Sequence, residues 1–258
     1  MNISRPQRTD IVRAVAVLVA ALTQFAAGAV GGSGVADESV GDVARSYANP
    51  ILPAGTAFLI WNVIYLAFLA YAVWQLLPSQ RGRTIHRRTG WWLVAVGVLN
   101  AGWVGLFVSR QVWVSQIVIV ALLAMLTVAW RRATSVPRTT RRPTQLLLWA
   151  PLTLYTGWVL AATAVGALTT VAALGDDGAG TVTGAVALVL VGVVSVIVVL
   201  QAVAVVGFVI SMVWALAWIA AESDDGVAVT SMVVALLVVL VLAVRLLRAR
   251  DRSRAAFG

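Results

Sequence analysis

Eight apolar runs, at 11–30, 54–77, 91–109, 112–130, 145–174, 182–200, 203–221 and 227–247, dominate this chain of 258 residues. At about 1.5 Å per helical residue, runs of this length match a hydrocarbon layer about 30 Å thick. A water-soluble domain has no means of burying so much apolar surface, since 61% of the residues are hydrophobic and 11% charged. In lipid every backbone polar group needs an internal partner. Long unbroken apolar runs meet that need as helices rather than as alternating barrel strands. The expected fold class is therefore all-α, a polytopic membrane helical bundle of about eight transmembrane helices.

The charges between the runs decide the threading. Arginines gather before the first run (Arg5, Arg8, Arg13), after the second (Arg81, Arg83, Arg87, Arg88), after the fourth (Arg131, Arg132, Arg138, Arg141, Arg142) and from Arg245 to Arg254. Acids mark the alternate connections: Asp37, Glu38 and Asp42, then Asp176 and Asp177, then Glu222, Asp224 and Asp225. Arginine-rich connections stay cytoplasmic as a rule. With that rule 17 of the 19 Arg fall inside and 8 of the 10 acids outside, leaving Arg45 and Arg110 outside and Asp10 and Asp251 inside. Both termini are then cytoplasmic, and the expected location is a bacterial-type inner (plasma) membrane. Residues 182–221 carry no charge, so polarity does not divide them. Length and the acidic connections at both ends favour two crossings with a turn near Gln201–Gly207; seven spans is the alternative. The first run also fits a signal peptide, but its apolar part is longer than such a core, and retention is expected.

Several functions are excluded by what is missing. A net charge of +9 raises the question of nucleic acid, but the arginines sit in short clusters between spans rather than along a face, so no nucleic-acid partner is expected. Every basic residue is Arg, so there is no lysine for a retinal Schiff base. There is no Cys, and the single His86 builds neither a paired haem site nor a zinc cage. No span centre carries an ionisable residue of the kind that proton relays or ion-coupled carriers need. No nucleophile–base set, phosphate loop or paired carboxylates appear, so no enzyme activity is expected.

What remains is aromatic. Phe58, Trp61, Tyr65 and Phe68 recur at three- and four-residue spacing after the break at Pro50, Pro53 and Gly55. Trp92, Val96, Asn100, Trp103 and Phe107 form a second stripe, and Pro151, Tyr155, Trp158, Ala162 and Gly166 a third. Helical rise puts the three at similar depth, toward the acidic first connection. Such rings, with Asn62 and Asn100 as hydrogen-bonding groups, suit a flat hydrophobic small molecule. Plainer roles stand beside this one. Trp91, Trp92, Trp113, Trp130 and Trp149 lie at span ends and are expected to anchor at headgroups. Trp214 and Trp218 suit packing, and His86 suits a basic loop. The two asparagines serve equally as interhelical hydrogen-bond partners. Pro151 is expected to kink its helix and release the Leu147 carbonyl.

At these residues the chain resembles the tryptophan-rich sensory protein (TspO/MBR) family, relatives of the translocator protein or peripheral benzodiazepine receptor. The family's proline-bearing first loop and F-x-x-W-x-x-x-Y are matched by Pro50, Pro53, Phe58, Trp61 and Tyr65. Its N-x-x-W with a following Phe is matched by Asn100, Trp103 and Phe107. Its Pro, two aromatics and Ala-Thr pair are matched by Pro151, Tyr155, Trp158, Ala162 and Thr163. An Asn expected after Ala-Thr is Gly166 here, and the loop lacks a tryptophan before its prolines. The resemblance covers about residues 10–170. It implies a five-helix membrane core at 1–174, with 175–258 as additional helices and a basic tail. It further implies a pocket capped by 37–53 that binds porphyrins (protoporphyrin IX or haem), and homodimerisation.

Three functions follow. The first is a sensor or carrier binding a tetrapyrrole-like ligand through Phe58, Trp61, Asn62, Tyr65, Asn100, Trp103, Phe107, Tyr155, Trp158 and Thr163. The second is a scaffold subunit of a membrane complex, with Gly28, Gly32, Gly97 and Ala101 allowing close helix approach. The third is an enzyme modifying tetrapyrroles or isoprenoid lipids.

Overall fold

The computed structural model describes residues 7–33, 35, 38–136, 142–175 and 179–258. Arg5, Asp37, Arg138, Arg141, Asp176 and Asp177 lie outside the described residues.

The first apolar run is α1 (Arg8–Ser33), which ends where Gly31, Gly32 and Ser33 weaken helix propensity. A short helix, α2 (Val40–Arg45), follows in the first connection. It is set by a capping box in which the Ser39 side chain and the Asp42 carboxylate each bind the other's backbone N–H. The second run opens as a 3-10 turn (Gly55–Leu59) and becomes α-helical only in α3 (Ile60–Gln75). Phe58 thus stands on the turn rather than on the helix that carries Trp61 and Tyr65. Pro78 starts α4 (Pro78–Arg81) at a position where its missing N–H leaves no gap. Then come α5 (Thr84–Val108) and α6 (Val112–Thr134), a hairpin closed by Arg110 at φ 58°.

The fifth run begins with α7 (Arg142–Thr144), loosens into one π-turn (Gln145–Trp149) and continues as α8 (Ala150–Ala173). The π-turn lies just before Pro151, whose ring and absent N–H are incompatible with a regular ladder there. The Ala150 N–H reaches back to the Gln145 carbonyl, one residue farther than in an α-helix. The predicted kink is therefore a register shift. After it come α9 (Thr181–Gln201), α10 (Val206–Glu222), α11 (Asp225–Arg248) and a short α12 (Arg252–Phe257). The uncharged stretch 182–221 breaks at 202–205, inside the predicted turn, with Ala204 at φ 59°.

Seven helices among the described residues are long and apolar enough to cross a membrane. The eighth apolar helix, α10, has 17 residues, about 25 Å of helix by rise. The protein is an all-α polytopic membrane bundle.

Neighbouring helices close a ring, α1–α3–α8–α6–α5 and back to α1. Glycines permit the closest approaches: a Cβ on Gly97 would lie 2.8 Å from the Ala20 carbonyl oxygen, so α1 and α5 need glycine there. The last three long helices form a second layer, in which α10 lies along α8 and α11 joins α10 to α9.

The arginine-rich connections all meet at one end. Asp10, almost fully buried, binds Arg13 at 2.7 Å and Arg87 at 2.6 Å, pinning α1 to α5. Arg13 also donates to the Arg81 carbonyl, and Arg83 to Thr144. His86 is not in a loop. It is buried in α5, with Nδ1 3.2 Å from the Tyr71 hydroxyl and its ring edge-on to Trp74, because its position on the helix points inward. Two of the predicted headgroup anchors are likewise interior. Trp130 and Trp149 are buried: the Trp130 indole donates to the Val203 carbonyl in the turn before α10, and Gly258 at the chain's end lies against the Trp149 ring. Trp91 and Trp113 remain exposed.

Candidate functional site

At the opposite end, aromatic side chains from three helices converge on Trp61. Its ring stacks on Tyr65 and lies against Trp103, each centroid 5.4 Å away. Tyr155 and Trp158 meet it edge-on at 5.9 Å. Phe58 reaches Trp158 edge-on from the 3-10 turn, and Phe107 stacks on Trp103. Offset and edge-to-face arrangements are the ones that ring quadrupoles favour. The three stripes do meet.

They meet ring on ring, however, and largely fill the space between them. The void left among Phe58, Trp61, Trp103, Phe107 and Trp158 is about 40 Å³, a volume on the scale of ordered water rather than of a ligand. A larger pocket, about 520 Å³, opens on the other face of the same cluster. Its back wall is Phe58, Trp61, Tyr65 and Trp103; its side is Gly28, Ala29 and Gly32 of α1. Its roof is Ser39, Val40, Gly41 and Arg45 of the α2 lid. Trp61, Phe58, Trp103 and Val40 border both spaces, so one layer of rings separates them.

The remaining predicted residues divide. Asn62 is exposed and lines the larger pocket. Tyr155 lies deeper, bordering only a small packing void with Phe68 and Tyr71. Asn100 is fully buried behind the rings and lines neither space. Neither atom of its amide attains hydrogen-bonding geometry to a neighbour. The Tyr155 hydroxyl donates instead to Gln24 Oε1 at 3.4 Å, and the Gln24 amide nitrogen and Trp158 indole nitrogen have no partner. Thr163 stands apart from both spaces, its hydroxyl donating to the Val159 carbonyl at 2.7 Å.

Three groups of residues were missed in the sequence. The first is the small face of α1, which a cluster of Gly28, Gly31 and Gly32 at a helix end does signal. The second is Arg45, the only charged side chain among the described residues that line the pocket, at its rim and paired with Asp42 at 2.6 Å. The third comes from the C-terminal helices, which hold the loop. The Ser223 hydroxyl donates to the Pro50 carbonyl at 2.8 Å, and the Trp214 indole to the Ala57 carbonyl at 3.0 Å. The Ala54 N–H donates to the Trp218 carbonyl at 3.1 Å. From α8, the Val165 carbonyl and Thr169 hydroxyl accept from the Asn49 amide, each at 2.9 Å. Arg110 fastens the lid's other side through Glu38 and Ser46. Glu38 and Asp42 of this first connection thus bind within the protein. Glu38 pairs with Arg110, while the Ser39 hydroxyl and amide, with Arg45, hold the Asp42 carboxyl below its ordinary value.

Comparison with known proteins agrees with this architecture. A family model described as TSPO-like protein matches residues 10–245. The match runs well past residue 170, through α9 and α10 and into α11. No curated protein and no solved structure matches the chain.

Proposed function

This chain belongs to the TSPO-like protein family, and on that premise we propose that it binds a flat hydrophobic ligand as a sensor or carrier, with a porphyrin such as protoporphyrin IX or haem as that ligand. The observation that carries the reading is the 520 Å³ pocket backed by Trp61, Tyr65 and Trp103. That volume lies within the range of about 300–1,000 Å³ usual for small-molecule sites. A ring system lying against Trp61 gains stacking over a broad area. Arg45, at the rim, is placed to meet a carboxylate on the ligand's edge. No carboxylate or imidazole is among the described lining residues, which favours binding over chemistry. With the arginine-rich end cytoplasmic, the pocket faces the extracytoplasmic side of the membrane.

The test is a titration of the purified protein with protoporphyrin IX, read by tryptophan fluorescence. Saturable quenching is expected, weakened by Trp61→Ala and by Arg45→Gln. Trp158→Ala should weaken it less, since Trp158 borders only the small void. Absence of saturation would overturn the reading, and consumption of the porphyrin would replace binding with turnover.

A further inference from the structure

The arginine-rich end holds a second cleft, of about 630 Å³, that the aromatic site does not use. Its walls are aliphatic, from Leu200 at the end of α9 and Leu240 and Val244 on α11. Its rim carries Arg245, Arg248 and Arg254, with Asp251 as the one acid among the described lining residues. The described side chains lining the cleft therefore sum to a charge of +2.

The floor is fixed by main-chain contacts. The Ala204 and Val205 N–H groups donate to the Arg254 and Ala255 carbonyls, each at 3.2 Å. Ala255 and Ala256 are buried, and the Gln145 side chain donates to the Gly258 carbonyl. Asp251 caps α12 by accepting from the Arg254 N–H at 3.0 Å. Arg245 is half-buried and donates to the Val199 carbonyl, which holds it against the α9 end. Arg245 therefore stands at a set height beside an aliphatic wall, with Arg248 and Arg254 on the same rim.

A soluble anion would use the arginines and leave the aliphatic wall wet. A zwitterionic lipid would use the wall and gain little from the arginines. Only a ligand with an anionic head and acyl chains satisfies both. We propose that this cleft binds one anionic phospholipid, its phosphate at Arg245, Arg248 and Arg254 and its chains along Leu240 and Val244. The site is independent of the tetrapyrrole pocket, which lies at the other end of the bundle.

The experiment is native mass spectrometry of the full chain in detergent, with equimolar phosphatidylglycerol and phosphatidylcholine of matched chains. Retention of one phosphatidylglycerol well above phosphatidylcholine is expected. Each Arg→Gln change should weaken it about fivefold, so the triple variant R245Q/R248Q/R254Q should erase the preference. If that variant misfolds, R248Q/R254Q retains the Arg245 contact to α9 and should still lose most of it. Val244→Trp, at an exposed position, narrows the cleft without altering charge and should also reduce retention. Arg131→Gln, at the same end but outside the cleft, should not. Equal retention of the two lipids would overturn the proposal. So would losses in Arg131→Gln as large as in the cleft variants, or retention of phosphatidylglycerol surviving Val244→Trp unchanged.

Discussion

Gly28 has no room for a methyl group, because a Cβ there would run into the Tyr65 ring. Gly32, one turn on, would meet nothing within 4 Å. Both line the large pocket, so the pair separates packing from occupancy. Gly28→Ala should destabilise the protein by about 1–3 kcal/mol, seen as a lower midpoint of thermal unfolding in detergent. Gly32→Leu should keep that midpoint within the range of a surface change, about 0.5 kcal/mol. It should nevertheless weaken porphyrin quenching by filling the pocket. Asn100 makes the contrary case. Its amide is buried without a hydrogen bond, so Asn100→Leu should leave stability unchanged or raise it. A loss of about 2 kcal/mol or more would show that the amide is bonded after all.

The first connection is an element with three fastenings, to α5–α6, to α8 and to α10. Trp214→Phe keeps an aromatic side chain, though a smaller one, and removes the donor to the Ala57 carbonyl. That should cost about 1 kcal/mol and speed hydrogen exchange of the Gly55–Leu59 turn more than that of α5. Equal exchange in both would show that α10 does not brace the turn. The α2 cap is also an acid sensor of predictable sign. Asp42 is held below 3.8 when folded, by Ser39 and then Arg45. Its contribution is therefore complete above 3.8 and is lost as pH falls through the lower folded value. Asp224, held low chiefly by the Thr181 hydroxyl, caps α11 with the same sign. Exchange in α2, corrected for intrinsic rates, should stay flat from pH 8 to 5 and rise only below about 4.

At the scale of the whole molecule the two ends differ in chemistry, and the chain alternates between them. Because there is no native cysteine, labelling with an impermeant thiol reagent reads the sidedness directly. Val35→Cys and Val182→Cys, both largely exposed at the lid end, should react together from outside intact cells. Arg252→Cys, exposed at the other end, should react only after permeabilisation. Reaction of Arg252→Cys from outside would mean an odd number of crossings. The C-terminal helices look like an appendage in the sequence, yet they hold the turn that carries Phe58, so their deletion should reduce ligand quenching as well as stability.

The spans, their alternation and the aromatic stripes were legible because each rests on local spacing: 3.6 residues per turn sorts Trp61 and Tyr65, or Asn100 and Trp103, onto one face whatever surrounds them. The break at 202–205 was legible from the length of the uncharged stretch and the acidic connections at both its ends. Burial of His86, Trp130 and Trp149 was not, since it depends on which neighbouring helix covers a given face. Nor was the fate of the central hollow. Periodicity brings rings to a common depth, but whether they line a space or fill it depends on the angles and separations at which the helices cross. Those are set by contacts distant in sequence, such as Gly97 on Ala20 and Gly28 on Tyr65, and they moved the usable pocket to the α1 side, beneath a lid braced by helices far along the chain.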